Sequence, residues 1–114
     1  MRSYIDRIEA LEGGSVSPLD IREESIAAYR ELEPRIEAFV HVDFDAARRA
    51  ARESERRWRA RAPLSPIDGM PISIKYIIET AGLPTEMGSP LFAGWRSERE
   101  AAASSGWSCA RLCS

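Results

Sequence analysis

Seven residues, Ile72-Ser73-Ile74-Lys75-Tyr76-Ile77-Ile78, constrain this chain more than any others. They form a β-branched and aromatic run with turn residues on both sides, Gly69 and Pro71 before it and Ala81-Gly82-Leu83-Pro84 after it. Such a run reads as a strand, and few of its positions meet water on both faces. Of the 16 basic residues only Lys75 is lysine; the other 15 are arginine. A guanidinium stays charged, whereas a buried ammonium can give up its proton and act as a base. The run predicts that Lys75 projects from a strand end into a partly closed space, where desolvation favours the neutral amine that a general base requires. The loop that follows, Thr85-Glu86-Met87-Gly88-Ser89-Pro90, is rich in small and turn-forming residues, the kind that line sites at strand ends.

Three helices precede this run. Tyr4, Ile5, Ile8 and Leu11 recur at three- and four-residue intervals across Ser3 to Leu11, and Gly13-Gly14 ends that helix. Ser17 is an N-cap with Pro18 at the first helical position, and Asp20 and Glu23 suit the positive end of the dipole. That second helix carries Ile21, Ile26, Ala28, Tyr29 and Leu32 and is expected to stop at Pro34. Ile36 to Val42 alternates loosely as a short strand or extended arm. Asp43 caps a third helix through about Arg61, with Ala46, Ala47, Ala50, Ala51 and Trp58 on its apolar side. Ala62 to Asp68 reads as a proline-punctuated connector.

Composition excludes several function classes. The formal net charge of −2 predicts no affinity for polyanions, although the third helix alone carries seven arginines; these spread around it and read as a solvated face. No apolar run approaches the length that crosses a bilayer and no signal-peptide pattern opens the chain, so a cytoplasmic location without membrane contact is expected. Two cysteines, Cys109 and Cys113, lack the spacing of a disulfide framework or zinc site, and with one histidine, His41, a metal site is not expected. His41 has no carboxylate or serine at a readable spacing and reads as a surface or packing residue.

Gly69-Met70-Pro71-Ile72-Ser73-Ile74-Lys75, with Thr80-Ala81-Gly82-Leu83-Pro84-Thr85 and Gly88-Ser89-Pro90, resembles the N-terminal part of an amidase signature family enzyme. Ser17-Pro18-Leu19-Asp20, Arg35 to Val40 and Leu91 to Trp95 are also similar to that family, so the resemblance covers Ser17 to Ala102. It implies an α/β fold, a mixed β-sheet covered by helices, of which this chain holds an incomplete N-terminal part with the Lys75 strand in the middle. It implies hydrolysis of carboxamide C–N bonds by a Ser–cis-Ser–Lys triad, with Lys75 passing a proton through a bridging serine to a nucleophilic serine. The substrate implied is a small-molecule amide; no cofactor, metal or nucleic acid is implied, and oligomeric state is not specified. The family usually carries aspartate directly after the lysine, and this chain has Tyr76 there.

The similarity stops near Ala103, which divides the chain into residues 1–103, the N-terminal portion of an amidase domain, and 104–114, a tail unlike the family. A one-base shift in one codon set for that tail yields an amphipathic helical run, so a frameshift near the Ala103 codon is expected. The glycine- and serine-rich segment that bears both catalytic serines in the family has no counterpart here. Ser73, Ser89, Ser104 and Ser105 lie in no nucleophile elbow, and Ser73, on the same strand face as Lys75, has no oxyanion donors beside it. The expectation is a truncated amidase, inactive alone. Two alternatives remain. One is a fragment of the subunit of a tRNA-dependent amidotransferase that releases ammonia from glutamine, although Ala81 to Thr85 and Gly88 to Leu91 look more like the general amidases. The other is a non-catalytic helical binding module with an arginine-rich face.

Overall fold

The computed structural model describes residues 3–81 and 83–99 together with the backbone of 111–113. Helix α1 spans Tyr4–Glu12, α2 Pro18–Ile36 and α3 Phe44–Arg59; β1 is His41–Val42, β2 Ile72–Ile74 and β3 Arg111–Cys113, with a 3-10 turn at Pro90–Phe92. Among the described residues no helix is long and apolar enough to cross a membrane.

Each helix starts where a short polar side chain can satisfy its free backbone donors. Ser17 Oγ accepts from the Asp20 N–H at 3.1 Å, and the Asp20 carboxylate accepts from the Ser17 N–H at 2.9 Å. The same reciprocal box, built from Ser3 and Asp6, opens α1, and Asp43 accepts from the Ala46 N–H at 2.8 Å to open α3. Helix α2 does not stop at Pro34 but runs to Ile36, with Glu37 as its left-handed C-cap at φ 51°. Proline at that point removes only one bond near the helix end, and the Glu33 carboxylate closes the end by accepting from the Phe39 N–H at 2.9 Å. The extended segment read over residues 36–42 shrinks accordingly to the two residues of β1.

Helix α3 packs on α2 through a face of small residues, Ala47, Ala51 and Ser54, all buried, against the side of α2 that carries Ile21 and Ile26. At the edge of this contact Arg48 grips Glu23 with two bonds of 2.6 and 2.9 Å. Tyr29 meets both Phe39 and Phe44, at centroid distances of 5.7 and 5.1 Å, and fastens the turn between the two helices. Helix α1 joins α2 through an Arg7–Glu24 ion pair. The core is Leu11, Ile21 and Met70, with Ile8, Val16, Trp58 and Ile67 packed around it, so all three helices and the segment before β2 meet there.

The strands form one small sheet in the order β1-β3-β2. β1 pairs antiparallel with β3, His41 opposite Cys113 and Val42 opposite Leu112; β2 pairs parallel with β3, Ile72 opposite Arg111 and Ile74 opposite Cys113. Residues 111–113 therefore take the central position; the remainder of the divergent tail, including Cys109, lies outside the described residues. Among the described residues the helices dominate, and the large helix-covered mixed sheet implied by the resemblance is represented only by these three short strands.

Candidate active site

The approach to Lys75 is built by the connector, and it is more tightly held than its prolines suggest. Asp68 is buried and accepts two bonds of 2.7 Å from the Arg57 guanidinium and one of 3.1 Å from the Leu64 N–H. Its carbonyl accepts from Trp58 Nε1 at 2.9 Å. Burial pushes the Asp68 carboxyl up, but the Arg57 guanidinium, the Leu64 N–H and the nearby Ser54 hydroxyl outweigh it and hold the group below the usual carboxylate range. Gly69 follows with φ 88°, and a Cβ there would lie 2.5 Å from Ser54 Oγ and 2.7 Å from Pro18 Cβ. Glycine is required both for the left-handed backbone and for the close approach to α2 and α3. Met70 is fully buried in the core, and the Pro71 carbonyl accepts from the Tyr4 hydroxyl of α1. Four consecutive residues thus tie the entry of β2 to all three helices.

β2 is shorter than the apolar run predicts. It ends at Ile74, which is buried, and Lys75 is the first residue past it. The chain then turns, with the Ile78 N–H donating to the Lys75 carbonyl at 2.9 Å, and Ile77 faces solvent. β-branched side chains favour a strand only where a neighbouring strand and a packed face receive them, and here β3 offers three partner positions. Lys75 is exposed, as is Ser73 two residues earlier, while Ile74 between them points inward. The described residues therefore do not form the partly closed space expected around Lys75. Among the described residues the Lys75 ammonium has no ion pair or hydrogen bond.

The segment after the turn folds back on itself. Thr85 N–H donates to the Trp95 carbonyl at 3.0 Å, Pro84 and Arg96 form an antiparallel bridge, and the Gly94 N–H donates to Glu86 Oε1 at 2.7 Å. That backbone bond, with a contribution from the Tyr76 hydroxyl, holds the Glu86 carboxyl below its ordinary range. Tyr76, which stands where the family usually has aspartate, is therefore associated with the loop rather than with the lysine. Ser89 Oγ accepts from the Leu91 N–H at 3.3 Å and Ser97 Oγ donates to Glu79 at 3.0 Å, so both hydroxyls serve the loop's own structure. Ser104 and Ser105 lie outside the described residues.

The remaining candidate chemistry is sparse. A hollow of about 600 Å³ between α1, the start of α2 and the end of α3 is lined by Gly13, Ser17, Trp58 and Arg59 among others, not by Lys75. Glu55 and Arg59 in its wall pair with each other at 3.3 Å, and no base–nucleophile pair faces it. Among the described residues no group of three or more His, Cys, Asp or Glu could hold a metal ion. His41 lies half-buried in β1. Of the helix α3 arginines, Arg48 and Arg57 are engaged by Glu23 and Asp68, while Arg49, Arg52, Arg56 and Arg59 are exposed. Sequence reasoning missed the Asp68–Arg57 clamp and the buried Arg22; Asp68-Gly69 ahead of Met70 was a readable turn signal, whereas nothing in the polar face of α2 singles out Arg22.

The same residues align with known proteins. The amidase family model matches residues 20–105, and the chain belongs to the amidase family. It is 42% identical over 87 residues to a glutamyl-tRNA(Gln) amidotransferase subunit from Chloroflexus aggregans, a match covering 76% of this chain and 18% of the relative. Among solved structures it is similar to a chain of an inhibitor-bound vestigial protein complex tied to the evolutionary origins of an s-triazine catabolic enzyme, with a TM-score of 0.88, 22% identity, and coverage of 98% of this chain and 25% of that one. A bacterial aryl acylamidase of the amidase signature family gives a TM-score of 0.79 at 24% identity, covering 98% of this chain and 24% of the other. The chain thus spans about a fifth to a quarter of the length of the relatives it matches.

Proposed function

We propose that this chain is the lysine-bearing N-terminal portion of an amidase-signature hydrolase that cleaves carboxamide C–N bonds, with Lys75 as its base. The observation that carries this reading is the placement of Lys75 at the first position past β2, with the preceding Asp68 to Pro71 fixed against all three helices. A base must be held within a few tenths of an ångström of its partner, and an anchored strand end does that better than a loose loop.

In this reading a serine hydroxyl attacks the amide carbonyl carbon, and its proton passes through a second serine to the neutral Lys75 amine. The same proton then goes to the departing nitrogen as the C–N bond breaks, and water releases the acyl group by the reverse relay. Among the described residues no serine is placed to act as nucleophile or bridge for Lys75, so in this reading residues 1–103 contribute the base and not the two serines. The substrate is a small-molecule amide and the reaction needs no cofactor. The 42% identity to an amidotransferase subunit supports a second reading, ammonia release from glutamine.

The test is a chimaera in which residues 1–103 replace the matching segment of the Chloroflexus aggregans relative, assayed for ammonia release from glutamine and from simple carboxamides. Lys75→Ala is expected to lower kcat/KM by about 10³-fold or more with unchanged circular dichroism. Lys75→Arg should be as poor, because a guanidinium keeps its proton. Turnover that survives either substitution removes Lys75 from the mechanism.

A further inference from the structure

Lys75 is fixed from upstream by Asp68 to Pro71 and by buried Ile74, but the ladder with β3 ends at Ile74 and does not reach it. Its amine stands at the end of a long flexible stem, so small rotations of its backbone displace the amine much further. The residues after Lys75 form a turn, closed by the Ile78 N–H on the Lys75 carbonyl at 2.9 Å and continued by the Thr80 hydroxyl on the Ile78 carbonyl at 3.2 Å. Two side chains of this turn reach across to the loop that folds back after it. The Glu79 carboxylate accepts from the Ser97 hydroxyl at 3.0 Å, and Ser97 Oγ accepts from the Arg99 N–H at 3.1 Å. Ser97 is 4% exposed, so its hydroxyl proton has been taken out of water and directed at Glu79, and loss of that acceptor leaves it unsatisfied. Nearer the lysine, the Tyr76 hydroxyl bonds the Glu86 carboxylate, which also accepts from the Gly94 N–H at 2.7 Å. The loop is itself closed by the Thr85–Trp95 bond of 3.0 Å and the Pro84–Arg96 bridge. Surface turns ordinarily move more than the elements they join; this one is braced at both ends against a closed frame.

We infer that Glu79, through Ser97, and Tyr76, through Glu86, are positioning residues for Lys75. They latch the turn that begins at the lysine to the closed loop 84–97, so that the backbone from which the amine projects keeps one orientation although the side chain is open to solvent. Ser97 is the centre of the latch, because it joins Glu79 to the Arg99 backbone from a buried position. The role of the positioned group rests on the reading of Lys75 as a base given above, but order at Lys75 and catalysis are measured separately.

Lys75 is the one lysine of the chain, so labelling the full 114 residues with 15N-lysine gives a single backbone amide signal that reports on it. Its order parameter is expected near the rigid-backbone value of about 0.85, and Ser97→Ala, Glu79→Ala or Tyr76→Phe should bring it below about 0.6. Glu79→Gln, whose amide oxygen still accepts from the Ser97 hydroxyl, should keep the signal ordered. Glu23→Ala, which releases Arg48 at the α2–α3 edge, should also leave it unchanged, and circular dichroism verifies that the helices persist in every variant. In the chimaera that carries residues 1–103, Ser97→Ala and Glu79→Ala should each lower kcat about tenfold with KM within about twofold, and the two together should lower it no further. A Lys75 amide as ordered in Ser97→Ala as in the unaltered chain overturns the inference. So does disorder that Glu79→Gln shares with Glu79→Ala, or a kcat indifferent to Ser97→Ala where Lys75→Ala is inactive. An amide loosened by Ser97→Ala and restored by Glu79→Gln, in a chain whose Lys75→Ala chimaera keeps its turnover, upholds the latch and sinks the catalytic assignment alone.

Discussion

Adding one methyl group at Gly69 tests how the approach to Lys75 is held. The new Cβ would sit 2.5 Å from Ser54 Oγ, 2.7 Å from Pro18 Cβ and 3.0 Å from Ser54 Cβ, on a backbone with φ 88°. Rotation of the serine relieves the first contact, but the other two involve atoms fixed to α2 and α3. Left-handed strain and overpacking together predict a loss of about 3 kcal/mol for Gly69→Ala, read as a lower urea midpoint with an unchanged slope. At this scale the sequence was legible in kind. Gly69 stood out as punctuation and Lys75 as the one lysine. The exposure of Lys75 was not legible, because a lysine's surroundings are set by what other segments place over it. Nor was the pairing of Asp68, since its partner Arg57 is one of six arginines on the same helix and only packing selects it.

Elements divide by whether their ends are written locally. Ser17-Pro18 with Asp20, and Asp43 ahead of Phe44, carry their own hydrogen-bonding partners, so the starts of α2 and α3 were readable to the residue. The end of α2 was not, because Pro34 marks only a missing donor and the Glu33 side chain decides how the turn closes. The strand over Ile72 to Ile78 was overextended for a related reason: periodicity describes an apolar run but not how many positions find a partner strand. The connector before β2 behaves as part of α3 through the Arg57–Asp68 pair. Asp68→Asn leaves Arg57 partly buried without its counter-charge and should cost about 2–3 kcal/mol, at or below the lower end of the range for breaking a buried pair because Arg57 is a quarter exposed. The pH dependence has a definite sign. With its native carboxyl held below the unfolded value of about 3.9, Asp68 contributes stability fully above that pH and loses it as pH falls through the lower native value. Acid unfolding of Asp68→Asn should therefore be flatter than that of the unaltered chain below about pH 4; parallel acid curves would show that the pair contributes nothing.

At the level of the whole molecule, the helices and the sheet are of unequal strength. The three helices share one core around Leu11, Ile21 and Met70, and capping, ion pairs and the Asp68 clamp all support it. The sheet is three short strands with β3 in the centre, and no sequence pattern in 104–114 announces that role, since pairing between distant segments leaves no periodic trace. Isolated sheets of this size are marginal in water, and the apolar side chains of segment 76–97 add surface that favours association over folding. Heating the chain should consequently give a broad helical transition by circular dichroism, with light scattering that rises as it unfolds. The paired substitution Leu91→Asp with Trp95→Asp should suppress the scattering while moving the helical transition little, because neither side chain reaches the helical core. A sharp transition at high temperature with no scattering would mean that the sheet and loop are finished structures in this chain.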